Sequence, residues 1–227
     1  MGVFAAPQRC HMTAMIHRRA ALALLPLALL LRPRGAHAIS AMTLTPADRA
    51  DVERIEAYLN GIHTLKARFE QIAPDGSDSH GTVWLDRPGK LRFEYDPPVP
   101  YLLVANHGDV YFHDSALNQT SEVALGDTPL SIILAPEIKL SGDIMLTDIT
   151  RVPGLIQVTV LRAARWWQGS LSLAFDTGPL VLRQWIVLDE QRRETRVSLT
   201  DIETGGHFPD SLFDFKPTPP PPGGVKR

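Results

Sequence analysis

The chain contains one cysteine, Cys10, among 227 residues. A single thiol excludes an intramolecular disulfide and a zinc site built from several cysteines. Cys10 lies before the apolar run of residues 20–31, whereas the acylated cysteine of a lipid-anchored protein follows such a run. That run has 12 residues, fewer than the roughly 20 that a membrane-spanning helix needs. We therefore expect a mature protein that is soluble, free of thiols and not itself lipid-anchored.

Motifs for the common enzyme chemistries are also missing. The sequence has no Gly-x-Ser-x-Gly elbow, no phosphate-binding glycine loop and no His-Glu-x-x-His pattern, and its histidines are scattered. We expect no enzymatic activity, no cofactor and no metal site. One alternative stays open, because Glu94 and Asp96 share one face of a strand at about 6 to 7 Å, a spacing that suits acid–base work in an exported β-barrel hydrolase.

The N-terminal region has the three parts of an export signal. The basic residues 17–19 precede the apolar run, and Ala36-His37-Ala38 offers the small-x-small pattern of a signal-peptidase site. Residues 1–38 are therefore predicted to be a signal peptide that is cleaved near Ala38. Both the general secretory route and the twin-arginine route stay open.

Removal of this segment makes the protein acidic. Five of the 23 Lys and Arg residues and none of the 25 Asp and Glu residues precede residue 39, so the remainder carries a net charge of −7. An acidic surface argues against nucleic acid or anionic headgroups as the main partner. Residues 39–218 have the length of one domain, and residues 219–227 form a tail rich in proline and glycine.

The pattern of apolar residues predicts one long helix followed by many short strands. Thr45 and Pro46 suit a helix start, and apolar residues then recur every three or four positions up to Ile62. From His63 onwards the period falls to two, and eleven candidate strands follow, interrupted by a short helix over Thr128 to Leu134. This order predicts a mainly β fold, either a sandwich or a curved, partly closed barrel.

The stretch from Gly81 to Pro136 carries unusually large apolar side chains for short strands. Both faces of these strands are apolar, so each face needs a cover or a ligand. The side chains concerned are Trp84, Leu91, Phe93, Tyr95, Leu103, Val104, Tyr111 and Phe112.

The order of these features resembles the LolA family of periplasmic lipoprotein carriers. The more specific features are an Arg-Pro pair between two strands and a Thr-Pro pair that opens the short helix. The residues that carry the resemblance are Gly81, Trp84, Arg87-Pro88, Leu91, Phe93, Tyr95, Gly108 and Thr128-Pro129-Leu130, with weaker similarity over Asp48 to Ile62 and Phe213 to Pro217.

The resemblance implies an unclosed antiparallel β-barrel of about 11 strands with a helical lid over a hydrophobic cavity. In the family an arginine at the Arg-Pro turn holds the lid through hydrogen bonds to its backbone, and Arg87 occupies that position. A guanidinium suits this role because it offers five fixed donors and does not titrate. An ordinary surface arginine before a turn proline is the alternative.

The resemblance also suggests which residues line an acyl-chain cavity. For each of them, plain core packing is the alternative. The candidates are Leu91, Phe93 and Tyr95 on one strand face, Leu59 and Ile62 on the first helix, and Leu130, Ile133 and Leu134 on the second.

The function implied is a monomeric periplasmic chaperone for acylated lipoproteins. It would receive its cargo from an inner-membrane ABC-type release complex and pass it to an outer-membrane receptor. A carrier of another lipid on the same scaffold is the alternative. Trp166-Trp167 beside Arg162 and Arg165 permits a membrane contact, but we favour a hairpin turn whose tryptophans point to opposite faces, one inward and one onto an arginine stem.

Overall fold

The computed structural model describes residues 42–216, so the predicted signal peptide and the tail at residues 219–227 lie outside the described residues. The described part contains two α-helices and eleven strands. The helices are α1 (Pro46–Gly61) and α2 (Leu130–Ile133). The strands are β1 (Thr64–Ile72), β2 (Asp78–Asp86), β3 (Lys90–Tyr95), β4 (Tyr101–Asn106), β5 (Asp109–Asp114), β6 (Gln119–Ala124), β7 (Ile144–Val152), β8 (Leu155–Arg162), β9 (Ser170–Thr177), β10 (Leu180–Leu188) and β11 (Glu194–Thr204).

All eleven strands belong to one antiparallel sheet. Their order is β6-β5-β4-β3-β2-β1-β11-β10-β9-β8-β7, so consecutive strands pair with each other except β6 and β7, and β1 pairs with β11. Within the described residues β6 and β7 are the two edges, and the sheet does not close on itself. The predicted mainly β, unclosed architecture of about 11 strands is confirmed.

Helix α1 begins where the sequence predicted. Thr45 is its N-cap, and the side chains of Thr45 and Asp48 bond each other's backbone N–H groups in a capping box. Asp48 also pairs with Arg151 of β7 at 2.7 Å. The apolar stripe of α1 is buried against the sheet, which places this helix over one sheet face.

Helix α2 is shorter than the sequence predicted. It covers one turn, Leu130–Ile133, rather than Thr128 to Leu134. Pro129 stands at its N-cap, and Pro136 follows two residues after its C-cap, where a proline cannot continue a helix. We refer to α1, α2 and residues 134–140 as the inner cover, and to the face beneath them as the inner face.

The inner face is built by strict alternation along β1, β2 and β3. Gly81 is needed in this row because a Cβ there would lie 2.2 Å from the carbonyl oxygen of Glu94 and 2.6 Å from the ring of Phe69. The missing side chain lets the Phe69 ring pack against Tyr95, with the ring centres 5.1 Å apart. The glycine is therefore required by close packing and not by an unusual backbone angle.

The opposite, outer face of β3 to β5 is covered by residues 205–216, which we call the outer cover. Phe213 on this segment is fully buried, and its carbonyl oxygen accepts a bond from Asn106 Nδ2 at 3.1 Å. Phe215 stacks on Tyr111 with ring centres 4.8 Å apart. The apolar outer face that the sequence indicated is thus covered by the chain itself.

Candidate functional site

Arg87 lies directly after β2, and its side chain reaches the last turn of α1. Its Nε donates to the carbonyl oxygen of Ile62 at 2.9 Å, and its Nη2 donates to the carbonyl oxygens of Ile62 at 2.5 Å and Leu59 at 2.6 Å. The last carbonyls of a helix lack partners within the helix. One side chain therefore ties the end of α1 to the sheet.

The same turn also holds the end of α2. The N–H of Gly89 donates to the carbonyl oxygen of Leu134, the C-cap of α2, at 2.9 Å. The N–H of Arg87 donates to the carbonyl oxygen of His63 at 2.8 Å. Residues 87–89 thus bond both helices of the inner cover at one point.

The Arg87 guanidinium is buried, with 7% of the residue exposed. None of the ion pairs found among residues 42–216 includes Arg87, and within the same residues its Nη1 has no hydrogen-bond partner. Burial lowers the pKa of Arg87. A cation loses its hydration when it is buried, and a neighbouring carboxylate would partly compensate for that loss. Arg87 is bonded only to neutral carbonyls. The closed contact is therefore a costly one.

A small apolar cavity lies beside this contact. Its volume is about 20 Å³, which is room for about one water molecule. The lining comes from both helices of the inner cover and from the inner face of the sheet. The lining residues are Leu59, Ile62, Leu65, Leu85, Arg87, Ile133, Ile138, Leu182 and Trp185. The space between the inner cover and the sheet is thus small.

The residues proposed from the sequence lie around this cavity, but only some line it. Leu59, Ile62 and Ile133 line it directly. Leu91, Phe93 and Tyr95 share the inner face and are buried in the core, together with Leu134, and Leu130 packs against that core while partly buried. The Tyr95 hydroxyl donates to Gln71 Oε1 at 3.0 Å, and burial raises the pKa of Tyr95 to about 12.

Five lining residues were not proposed from the sequence. Leu65 and Leu85 belong to clear alternating strands, so their inward direction was readable even though the cavity was not. Leu182 and Trp185 lie on β10, whose alternation is the least regular. Ile138 belongs to a loop and carries no periodic signal.

Residues 138–140 are tied to α1 by hydrogen bonds. Asn60 exchanges two hydrogen bonds with the backbone of Ile138, at 2.9 and 2.8 Å. The N–H of Leu140 donates to Glu56 Oε1 at 2.6 Å. This loop and α1 are therefore connected as one layer above the cavity.

Glu94 and Asp96 do not face the cavity. Both lie on the outer face, where Glu94 pairs with Arg92 at 2.9 Å and Asp96 pairs with Arg68. Each carboxylate thus has its own arginine on an exposed surface. The arrangement gives no support to the acid–base pair considered for a hydrolase.

The tryptophan pair lies in a 3₁₀ turn, Ala163–Gln168, between β8 and β9. A turn is what we favoured, but the expectation that one tryptophan points inward was wrong. Trp166 is 51% exposed and Trp167 is 53% exposed, and the two rings contact each other edge to face. Neither ring is buried within the turn.

The residues also match a known family model. The model for LolA, the outer membrane lipoprotein carrier protein, matches residues 60–216. The chain belongs to the LolA family. The matched stretch contains Arg87 and the outer cover. It also contains the cavity-lining residues of the sheet, which are Leu65, Leu85, Leu182 and Trp185.

Individual LolA relatives agree over most of the chain. The outer-membrane lipoprotein carrier protein of Azotobacter vinelandii is 34% identical over 193 residues, which is 78% of this chain and 89% of the relative. That of Dechloromonas aromatica is 29% identical over 176 residues, 73% of this chain and 83% of the relative. A crystal structure of a LolA superfamily protein from Nitrosomonas europaea covers 72% of this chain and 97% of its own, with 10% identity and a TM-score of 0.41.

Residues 42–216 contain no group of three or more His, Cys, Asp or Glu side chains placed to hold a metal ion. Within the same residues, neither helix has the length and apolar character needed to cross a membrane.

Proposed function

We propose that this LolA-family protein is a periplasmic chaperone that binds the acyl chains of lipoproteins beneath its inner cover. It receives them from an inner-membrane ABC-type release complex and passes them to an outer-membrane receptor. The carrier descriptions of its relatives support this proposal. The predicted export signal and the acidic mature chain are compatible with it, and we expect a monomer that binds one cargo molecule.

One observation carries the proposal most strongly. A buried arginine holds the end of α1 over an apolar cavity through carbonyl bonds alone. The cavity of about 20 Å³ is far too small for an acyl chain, so α1 must move away before cargo enters. That movement breaks the Arg87 bonds.

The broken bonds set the affinity for cargo. Burial of an acyl chain is favourable by about 0.8 kcal/mol per methylene, so a cavity without an opposing term would hold lipid too tightly for transfer. Hydrogen bonds to a charged donor are each worth about 1.5–3 kcal/mol. Re-forming the Arg87 bonds therefore favours release, and the buried charge keeps that contribution moderate.

After α1 has moved, the other residues that the sequence suggested for the cavity enlarge the binding surface. When α1 and residues 134–140 move, the inner-face residues Leu91, Phe93 and Tyr95 lose their cover and join the lining. Leu130, Ile133 and Leu134 form the opposite wall on the short helix. We propose that these residues contact acyl chains only in the open state.

Transfer assays with Arg87→Leu test the role of this arginine. Residues 39–227 of each variant are loaded with lipoprotein from spheroplasts and mixed with an outer-membrane receptor. Arg87→Leu is expected to load normally and to release cargo at least several-fold more slowly, because closure no longer regains hydrogen bonds. Arg68→Leu is the matched control, since Arg68 forms an exposed ion pair on the outer face.

Mass spectrometry of the loaded wild-type protein identifies the cargo. A one-to-one complex with triacylated lipoprotein supports the proposal, while lipid without protein indicates a carrier of another lipid. Normal release by Arg87→Leu would contradict the role of Arg87 but would leave the cargo identity standing.

A further inference from the structure

The cover of the inner face stops before the sheet does. Along three cross-strand rows, the exposed fraction of the side chain rises from β3 towards the β6 edge. Exposure rises from 8% at Tyr95 to 38% at Tyr101. In the next row it rises from 5% at Phe93 to 36% at Phe112. In the third it rises from 1% at Leu91 to 44% at Val123.

The strand register shows that these exposed residues share the inner face. Phe93 pairs with Leu103, and Leu103 pairs with Phe112. Val123 pairs with Val110, which is buried in the inner core. Residues directly opposite each other in a sheet point to the same face. We call Tyr101, Phe112 and Val123 the rim strip.

A line of touching aromatic rings connects the rim strip to the buried core. The ring centres of Phe69 and Tyr95 are 5.1 Å apart, those of Tyr95 and Tyr101 are 5.8 Å apart, and those of Tyr101 and Phe112 are 5.2 Å apart. Phe69 also contacts Phe93, at 4.8 Å. An apolar surface therefore runs without interruption from beneath the inner cover to Phe112 on β5.

The outer face of the same strands is covered by the chain. There the outer cover buries Phe213 and stacks Phe215 on Tyr111. The chain thus covers the apolar outer face of β3 to β5 but leaves the rim strip on the inner face of β4 to β6 exposed. Apolar surface grouped on one face and continuous with a core marks a binding site more often than scattered exposed residues do.

We infer that the rim strip binds a saturated acyl chain of the cargo while the inner cover is still closed. This inference rests on the proposed function. In the closed state the cavity has room for about one water molecule, whereas the rim strip is accessible without any movement of α1. The strip is continuous with the surface on which the chain would lie after opening, so a chain bound there needs only to slide inward.

Binding of a synthetic tripalmitoylated lipopeptide with a fluorophore on its peptide tests this inference. Fluorescence anisotropy measures its affinity for residues 39–227 and for a variant with Phe112→Ser and Val123→Ser. The double variant is expected to bind about tenfold more weakly, which corresponds to about 1.4 kcal/mol. Val152→Ser is the matched control, because Val152 is 52% exposed on the other edge strand, and it is expected to bind as the wild type does.

A second readout locates the chain. A lipopeptide with a diazirine at the end of one acyl chain is irradiated with the protein, and the labelled peptides are identified by mass spectrometry. Labels are expected on β4, β5 or β6 within the rim strip, and thermal unfolding of the double variant is expected to match that of the wild type.

The outcomes separate the two proposals. If the wild type does not bind the lipopeptide, both the proposed function and this inference are overturned. Unchanged affinity in the double variant, with no label on the rim strip, overturns the inference alone. A wild-type dimer that the double variant converts to a monomer, with affinity unchanged, shows that a second copy occupies the strip and also overturns it.

Discussion

Phe213 of the outer cover is fully buried against the outer face of the sheet, whereas on the inner face a cavity of about 20 Å³ remains beneath α1. Both covers are bonded to the sheet by arginine side chains. Arg92 donates to the carbonyl oxygen of Leu212 at 3.3 Å and also pairs with Glu94. Arg87 bonds only backbone carbonyls and is the more deeply buried of the two.

Under the proposed function, this difference separates a permanent cover from a removable one. A tightly packed aromatic ring makes the outer cover expensive to detach, because removal exposes its whole apolar surface. The inner cover leaves a void, and its arginine keeps one nitrogen without a partner among the described residues. The inner cover is therefore held less completely, which is compatible with its proposed opening for cargo.

The largest expected effect concerns the outer cover. Phe213→Ala removes a fully buried ring and is expected to lower the free energy of unfolding by about 3–5 kcal/mol. Urea unfolding followed by circular dichroism measures this loss. Phe112→Ala is the matched control, because Phe112 is 36% exposed, and a much smaller loss is expected. Equal losses in the two variants would show that the outer cover is not packed as described.

The two arginines allow a direct comparison of the covers. Arg87→Leu leaves the carbonyl oxygens at the end of α1 without their donors and is expected to cost about 1–3 kcal/mol in unfolding free energy. Arg92→Leu is expected to cost less than about 1 kcal/mol, because its ion pair is exposed to water. Hydrogen exchange is expected to rise at α1 in the first variant only. Faster exchange across the whole sheet would mean that Arg87 supports the fold and not the inner cover.

The start of α1 provides a smaller, pH-dependent effect. Hydrogen bonds from Thr45 and then from Arg151 lower the pKa of Asp48 to about 2. The unfolded carboxyl group titrates near about 3.9, so between these values the unfolded chain binds more protons. The stabilisation from Asp48 is therefore fully present above about pH 4 and is lost as the pH falls through 2.

Asp48→Asn tests this expectation. The thermal midpoints of the wild type and the variant, measured between pH 2 and pH 5, are expected to differ above pH 4 and to converge towards pH 2. Curves that stay parallel over the whole range would show that Asp48 does not fasten α1 through its charge.

Much of the fold was predictable because its signals are local. The cap at Thr45, the period of α1 and the alternation of β1 to β3 each involve residues a few positions apart, and the structure has them where they were expected. The short helix α2 was expected to be longer than it is. Its ends depend on Pro129 and Pro136. The turn at Trp166 and Trp167 was predicted, but the inward direction of one tryptophan was wrong, because exposure depends on what surrounds a turn and not on its own residues.

The sequence by itself determined the order of elements, the inward face of each regular strand and the presence of an arginine before a turn proline between two strands. Only the tertiary structure decided that Arg87 bonds the end of α1, that Leu182 and Trp185 line the cavity, and that residues 205–216 cover the outer face. The physical reason is that a cavity is a mismatch between two packed surfaces. Its lining comes from residues spread along the chain from Leu59 to Trp185. No local pattern records where such surfaces fail to meet.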